Sequence, residues 1–197
     1  MVELPPNDEK PRLRVALVPE AEQLLAALTP EDRVPYALTC YAGLRRSEIH
    51  RLEWPEVLED GKIASHVLIL RSKSDAGTQR RPPIAEPLQQ ILREAWARQG
   101  RPTSGSVAER SVMSGKLASA ATAAWKRAGL HRITLHECRH TYASMLMAAH
   151  YTLKELMEYM GHSDLQMVNR YVKLLPQPRD DNAADRLNAY LRASRSG

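Results

Sequence analysis

Apolar residues recur with helical spacing along most of the chain. In the segment 19–28 this spacing places Leu24, Leu25 and Leu28 on one face, as in a helix that packs on a core. The same pattern, with Gly43 and Gly129 as two of the helix ends, predicts further helices. These helices are expected at 30–42, 47–52, 87–99 and 114–128.

Three later helices are predicted from their first turns. Thr134, Thr152 and Ser163 each stand three residues before a Glu or Gln, which is the capping-box pattern. Gly161 should end the second of these helices, and the third should reach about Leu174.

One stretch favours strands instead. Residues 67–70 form a β-favouring run, and after a Gly-containing turn residues 80–84 are predicted to return as a second strand. Pro82 and Pro83 make that return strand an edge or a broken one. We therefore expect a mainly α fold with one small antiparallel β-sheet near residues 62–84, in the α+β class.

The chain is predicted to form one domain with short extensions. Residues 1–16 have the composition of a flexible leader, 17–175 of a folded domain, and 176–197 of a hinge followed by an amphipathic helix. The leader is polar and Pro-rich, unlike a secretory signal, and no apolar run is long enough to span a bilayer. We expect a cytoplasmic protein with no membrane partner.

Charge and cysteine content narrow the possible partners only a little. A net charge of +5 and a pI near 9.4 favour an anionic partner such as nucleic acid, although many basic proteins bind none. Cys40 and Cys138 have neither zinc-site nor Cys-x-x-Cys spacing, so two free thiols in a reducing compartment are expected.

Two segments carry Arg and His residues suited to phosphate chemistry. In 43–48 (Gly-Leu-Arg-Arg-Ser-Glu), Arg45 lies where a glycine turn leads into a new helix, whose first backbone N–H groups also attract phosphate. In 135–140 (Leu-His-Glu-Cys-Arg-His), His136 and Arg139 share one helix face. There, Arg can hold two phosphate oxygens and His can pass a proton. Either segment alone is more often a solvated surface.

Two further segments are equally weak evidence for a catalytic site when each is taken alone. Lys73 stands at the tip of the predicted hairpin, where charged residues commonly keep a sheet edge soluble. His162 lies in the tight corner between two predicted helices, and Tyr171 follows two turns later. A tyrosine near a helix end is usually a half-buried packing residue.

The order and content of these four segments resemble the catalytic domain of the tyrosine recombinase, or phage integrase, family. The shared pattern is Gly-Leu-Arg-x-Ser-Glu, a hairpin Lys, Leu-His-x-x-Arg-His-Thr, and Gly-His-Ser with a Tyr nine residues after that His. It covers residues 19–171. Cys138 and Glu137 stand where the family often has Leu and Asp, a departure that affects packing more than chemistry.

The resemblance implies that Arg45 and Arg139 clamp the scissile phosphate and that His162 hydrogen-bonds to it. We expect a wider basic set to contact other DNA phosphates, giving salt-dependent affinity rather than sequence choice. Any member of this set can equally be a solvated surface charge. The candidates are Arg46, Arg71, Arg80, Arg81, Lys126, Arg127 and Arg132.

The reaction that the resemblance implies is a phosphodiester transesterification without metal, cofactor or ATP. Tyr171 would attack the phosphorus, giving a 3′-phosphotyrosyl link and a free 5′-hydroxyl. A phenol with a pKa near 10 is a poor nucleophile at neutral pH, so His136 would accept its proton. Lys73 would protonate the leaving 5′-oxygen.

The resemblance also implies parts and partners outside this pattern. Integrases of the family usually carry an N-terminal helical domain that clamps double-stranded DNA, whereas about 18 residues precede the pattern here. We therefore expect a fragment that binds DNA weakly by itself. The family implies a monomer in solution, a tetramer on DNA and accessory DNA-bending proteins. The helix at 183–193 can dock on a neighbouring protomer or on its own domain.

Two other interpretations stay open. Type IB topoisomerases and telomere resolvases use the same chemistry, although the Gly-His-Ser segment and the compact size favour an integrase. A catalytically silent DNA-binding regulator is the alternative from another class, and the presence of all six candidate residues argues against it. The DNA target, the direction of recombination and the host element stay undetermined.

Overall fold

A computed structural model describes residues 14–72 and 77–162. Within this part of the chain a 3-10 turn covers Trp54–Glu56, and the two strands are β1 (Leu58–Glu59) and β2 (Lys62–Ile63). The mainly α fold with one small antiparallel sheet is confirmed. The helices are α1 (Val18–Ala26), α2 (Pro30–Ala42), α3 (Arg46–Arg51), α4 (Glu86–Arg98), α5 (Gly115–Arg127), α6 (Leu135–Ala148) and α7 (Leu153–Met160).

The ends of the helices follow the local signals in the sequence. Thr29 accepts a hydrogen bond from the third residue of α2, and the predicted capping boxes at Thr134 and Thr152 are both formed. Gly43 and Gly161 end α2 and α7 in the left-handed conformation, with φ values of 64° and 61°. No helix among the described residues has the length and apolar character needed to cross a membrane.

The core is built around α2, which packs against α1, α4, α5 and α6. Tyr36 and Trp125 meet edge to face at 5.1 Å, and the Trp125 indole donates to the Leu24 carbonyl at 2.8 Å. The two cysteines, Cys40 on α2 and Cys138 on α6, are both free, as predicted, and buried in this core. The α2–α6 packing therefore fixes the helix that carries His136 and Arg139.

A smaller apolar cluster joins α6 to α7. Its buried members are Tyr142, Ala143, Leu146, Leu156 and Met160. The Tyr142 ring also lies against Gly43, where an added Cβ would come within 2.3 Å of it. The cluster brings the end of α7 next to the end of α2.

The regular sheet begins earlier in the chain than predicted. β1 and β2 are antiparallel, with Leu58 opposite Ile63. Asp60 and Gly61 connect them with φ values of 49° and 70°, the two positive φ angles that a type I′ hairpin turn requires.

The hairpin predicted from the β-favouring run is present only as isolated bridges. Ile69 donates to the Arg80 carbonyl and Val67 donates to the Pro82 carbonyl, both at 3.0 Å. Because Pro82 and Pro83 have no N–H to donate to the opposite strand, a continuous ladder of hydrogen bonds cannot form here. The prediction of a broken return strand is confirmed, and the expected position of the sheet is corrected.

Several predicted features lie outside the described residues. They include Lys73 at the hairpin tip and almost the whole leader. The helix capped by Ser163, with Tyr171 in it, and the segment 176–197 also lie there. These features stay predictions, as do the proposed domain boundaries.

Candidate active site

Arg139 lies at the junction of three segments. Its side chain is buried on α6, and its guanidinium donates to the carbonyl oxygens of Gly43 and Met160. The same guanidinium has Nη2 3.2 Å from Nε2 of His162. Two helix ends and the second residue after α7 therefore all contact one cation.

Arg45 is the N-cap residue of α3 and is held by three hydrogen bonds. Nη1 donates to Glu48 Oε1 and to Ser72 Oγ, both at 2.9 Å, and Nη2 donates to the Gly161 carbonyl at 2.7 Å. Among the described residues these bonds engage three of the five N–H donors of a guanidinium. Counted over the same described residues, the other two donors are available to bind an oxyanion.

Glu48 and Arg80 form a buried ion pair beneath Arg45. Both side chains are 1% exposed, and Arg80 donates from Nη1 and Nη2 to the two carboxylate oxygens, each at 2.7 Å. Its Nε donates to the Tyr159 carbonyl at 2.9 Å. The carboxylate also accepts from the Arg45 backbone N–H at 2.6 Å. The pair links α3, the broken hairpin and α7 under the site.

The electrostatics of this pair keep Glu48 ionised. Burial alone raises the pKa of its carboxyl, but the hydrogen bonds and positive charge of Arg80, with the Ser72 hydroxyl and the Arg45 N–H, outweigh burial and lower the pKa to about 2. A negative charge is thus fixed against one face of Arg45.

The burial of Arg80 corrects one prediction. Arg80 was expected to contact DNA phosphates, but it is only 3% exposed and its guanidinium faces Glu48. A phosphate cannot reach it without breaking the ion pair, so Arg80 leaves the DNA-binding set. The remaining six candidates are all exposed, and their DNA contacts stay a prediction.

His162 is 7% exposed and surrounded by cations. Burial, the charges of Arg139, Arg45 and Arg80, and nearby His140 lower its pKa to about 3. The imidazole is therefore neutral at physiological pH. A neutral imidazole can hydrogen-bond to a phosphate, but it adds no positive charge.

His136 is exposed on the first turn of α6. Its Nε2 lies 3.0 Å from Nε2 of His140, and the two rings meet edge to face with their centroids 4.4 Å apart. His140 itself is 6% exposed and lies behind His136. The sequence pattern singled out His136 alone, although the four-residue spacing of His136 and His140 on one helix is a signal for this contact.

A cleft of about 370 Å³ opens beside these residues. One part of its lining is apolar, from Tyr36, Leu44 and Leu117. Another cleft, of about 450 Å³, includes Glu53 and Glu56 and holds none of the predicted catalytic residues. The basic lining of the first cleft consists of Arg45, Arg46, Arg132, His136 and Arg139.

Gly161 lets two backbones approach closely at this site. A Cβ at this position would lie 2.6 Å from the Gly77 Cα and 3.2 Å from Nη1 of Arg45. The sequence identified Gly161 as a helix end. Its second role, bringing its own carbonyl to Arg45, depends on contacts that a helix-ending signal does not report.

Four of the six predicted catalytic residues are thus brought together, while Lys73 and Tyr171 lie outside the described residues. Arg45 and Arg139 line the same cleft as the exposed His136, and the neutral His162 lies against Arg139. The chain belongs to the phage integrase family, whose model matches residues 17–177.

Curated relatives are integrases. The chain is 27% identical to the integrase of Salmonella phage P22 over 186 residues, which cover 90% of this chain and 48% of that protein. It is 39% identical over 70 residues to an integrase of Saccharopolyspora erythraea, covering 34% of this chain and 16% of that protein. The chain thus spans about half the length of the P22 integrase.

Solved structures share the fold. The XerA recombinase superposes with a TM-score of 0.67 at 18% identity, covering 96% of this chain and 67% of that one. A lambda integrase dimer bound to a COC' core site gives 0.62 at 20% identity, covering 88% of this chain and 50% of that one. At these identities the likeness concerns the fold alone.

Proposed function

We propose that this chain is the catalytic part of a site-specific DNA recombinase that breaks and rejoins strands through a 3′-phosphotyrosyl intermediate. The observation that carries the proposal is the convergence of three segments: Arg45, His136 and Arg139 line one cleft, and His162 lies against Arg139 with its Nε2 3.2 Å from Nη2. Membership of the phage integrase family and the integrase relatives support it.

The arginines serve as the phosphate clamp. Phosphoryl transfer spreads negative charge over the nonbridging oxygens, and preorganised donors stabilise that charge without reorganising during the reaction. Arg45 and Arg139 are preorganised by their bonds to Glu48 and to backbone carbonyls. His162, neutral in this surrounding, donates one hydrogen bond from its ring N–H to a phosphate oxygen.

The covalent step exchanges one phosphoester for another. The Tyr171 oxygen bonds to phosphorus, the bond to the 5′-oxygen breaks, His136 takes the phenol proton and Lys73 supplies a proton to the 5′-oxygen. Attack by that 5′-hydroxyl restores the original strand, and attack by one from a second duplex forms an exchanged strand; either attack breaks the bond to Tyr171 and returns the proton to its oxygen. Because the ester bond is conserved, rejoining needs no ATP.

The partners follow from this chemistry. Double-stranded DNA is the substrate, contacted by the exposed set of Arg46, Arg71, Arg81, Lys126, Arg127 and Arg132. Strand exchange between two duplexes requires four cleavages, so the assembly on DNA is a tetramer. In solution, without DNA, the chain is a monomer. A DNA-clamping N-terminal domain and DNA-bending proteins complete the complex, in the cytoplasm.

The alternatives differ in outcome rather than in fold. A type IB topoisomerase or telomere resolvase would form the same adduct without joining two duplexes. A silent regulator would bind DNA without any adduct. The integrase relatives favour recombination over both.

Covalent trapping tests the proposal. The chain is incubated at low salt, where phosphate contacts bind most tightly, with a nicked suicide duplex carrying the DNA that flanks its gene. After denaturation in SDS, a protein–DNA adduct is expected from the wild type and from the control Tyr151→Phe, but not from Tyr171→Phe.

Each outcome has one meaning. An adduct that persists in Tyr171→Phe would show that another residue is the nucleophile. A folded chain that binds this duplex but forms no adduct would contradict the recombinase and favour the regulator.

A further inference from the structure

His140 is a buried, titratable side chain that the mechanism above does not use. It lies one helical turn after His136 on α6, and its Nε2 is 3.0 Å from Nε2 of His136. His136 lines the cleft with Arg45 and Arg139, whereas His140 does not. The contact therefore joins His136, the predicted proton acceptor, to a buried residue that does not line the cleft.

The contact restricts where protons can lie. Two imidazole nitrogens at hydrogen-bonding distance hold one proton between them, so one Nε2 donates and the other accepts. With its Nε2 engaged, His136 has only Nδ1 left to face a substrate. When His136 takes up a second proton, its Nε2 must be the donor and His140 must be the acceptor.

The surroundings of His140 favour its neutral form. His140 is 6% exposed and follows Arg139 directly on α6, whereas His136 is exposed to the cleft. Burial and neighbouring cations both disfavour an imidazolium at His140, so His140 suits the part of the neutral acceptor. Among the described residues, the charged and titratable groups near the pair include Arg45, Arg132 and Arg139, which line the cleft with His136. Glu137 follows His136 on α6, and the pKa of His162 is lowered in part by His140.

We propose that His140 is a positioning residue for His136: its Nε2 accepts the His136 Nε2–H, which orients the ring and leaves Nδ1 of His136 as the atom that takes the tyrosine proton. The neutral imidazole thus fixes the tautomer and orientation of His136, as the carboxylate of a Ser-His-Asp triad does for its histidine, but without a negative charge. This role rests on the proposed function, but the hydrogen bond itself does not.

The first test needs no DNA. Long-range ¹H–¹⁵N spectra of the chain labelled with ¹⁵N-histidine report which ring nitrogens carry protons, with assignments from His136→Gln and His140→Gln. Across a pH titration, His140 is expected to stay neutral with its proton on Nδ1, and His136 is expected to keep a proton on Nε2. A proton on Nε2 of His140, or His136 signals that do not change in His140→Gln, would overturn the proposal.

The second test measures adduct formation on the nicked suicide duplex. His140→Leu should slow the reaction about 10- to 100-fold, as loss of an orienting partner typically does. His140→Gln, whose amide can still accept at this position, should recover most of the rate, and the exposed control His50→Leu should retain all of it.

The two tests separate the two proposals. Equal rates in His140→Leu and wild type would overturn the positioning role even if the chain cleaves DNA. Equal slowing in His140→Leu and His140→Gln would overturn it too, because packing alone would explain the loss. If the spectra showed the expected proton positions but no variant formed an adduct, the hydrogen bond would be supported and the proposed recombinase activity would not.

Discussion

Replacing Arg80 with methionine removes the cation from a buried ion pair. The side chains of Arg80 and Glu48 are each 1% exposed and bond at 2.7 Å. Because Glu48 would remain as an uncompensated buried charge, Arg80→Met should lose about 3–5 kcal/mol of the free energy of unfolding. Arg98 and Glu109 also pair closely, at 2.5 Å, but are 29% and 23% exposed. Arg98→Met should lose at most about 1 kcal/mol.

The same pair makes stability depend on pH. Glu48 has its pKa lowered from 4.5 to about 2 in the folded chain. A lowered folded pKa adds stability that is fully present above pH 4.5 and is lost as pH falls towards 2. The difference corresponds to about 3 kcal/mol. Glu48→Gln lacks this contribution. Its free energy of unfolding should therefore fall below that of the wild type by about 3 kcal/mol less at pH 2 than at pH 4.5.

Urea unfolding followed by circular dichroism measures both effects. The wild type, Arg80→Met, Glu48→Gln, their double variant and Arg98→Met are compared at pH 7, 5, 4 and 3. The double variant should lose less than the sum of the single losses, because no lone charge stays buried. If Arg80→Met lost no more than Arg98→Met, or if the Glu48→Gln deficit were constant across this range, the reasoning would be refuted.

Three further predictions concern the site and its surface. Gly161→Ala should be more destabilising in thermal unfolding than Gly129→Ala. Both variants lose about 1–2 kcal/mol for a non-glycine residue in a left-handed backbone, but only Gly161→Ala also places its Cβ 2.6 Å from the Gly77 Cα. Equal losses of stability would contradict the close approach of the two backbones. Arg45→Lys keeps the charge but not the fork of donors, so adduct formation should fall about 100-fold or more; a rate near the wild type would exclude Arg45 from the clamp. Arg81→Gln should reduce the slope of log affinity against log salt by about 0.9, measured by anisotropy with a duplex; an unchanged slope would remove Arg81 from the DNA contacts.

Local sequence signals predicted most of the helices. Thr29, Thr134 and Thr152 cap helices through bonds to residues three positions away, and Gly43 ends α2 through its own backbone preference. Such interactions lie within a single turn, so a sequence displays them directly. The sheet was placed less well, because strand pairing joins segments whose register depends on the turn between them.

The residue types of the site were also visible in the sequence, since phosphate chemistry restricts them to a few. Arg45, His136, Arg139 and His162 were identified from motifs, and the structure brings them to one place. The motifs could not show how the residues are held there.

Only the tertiary structure decided which charges stay exposed. Arg80 and Arg81 are neighbours in a basic run, yet Arg80 is buried on Glu48, 32 positions away, while Arg81 faces solvent. The Gly161 carbonyl reaches Arg45 across 116 positions. Hydrogen bonds and ion pairs of this kind depend on how α3, the hairpin and α7 pack, and no local pattern of residues encodes that packing.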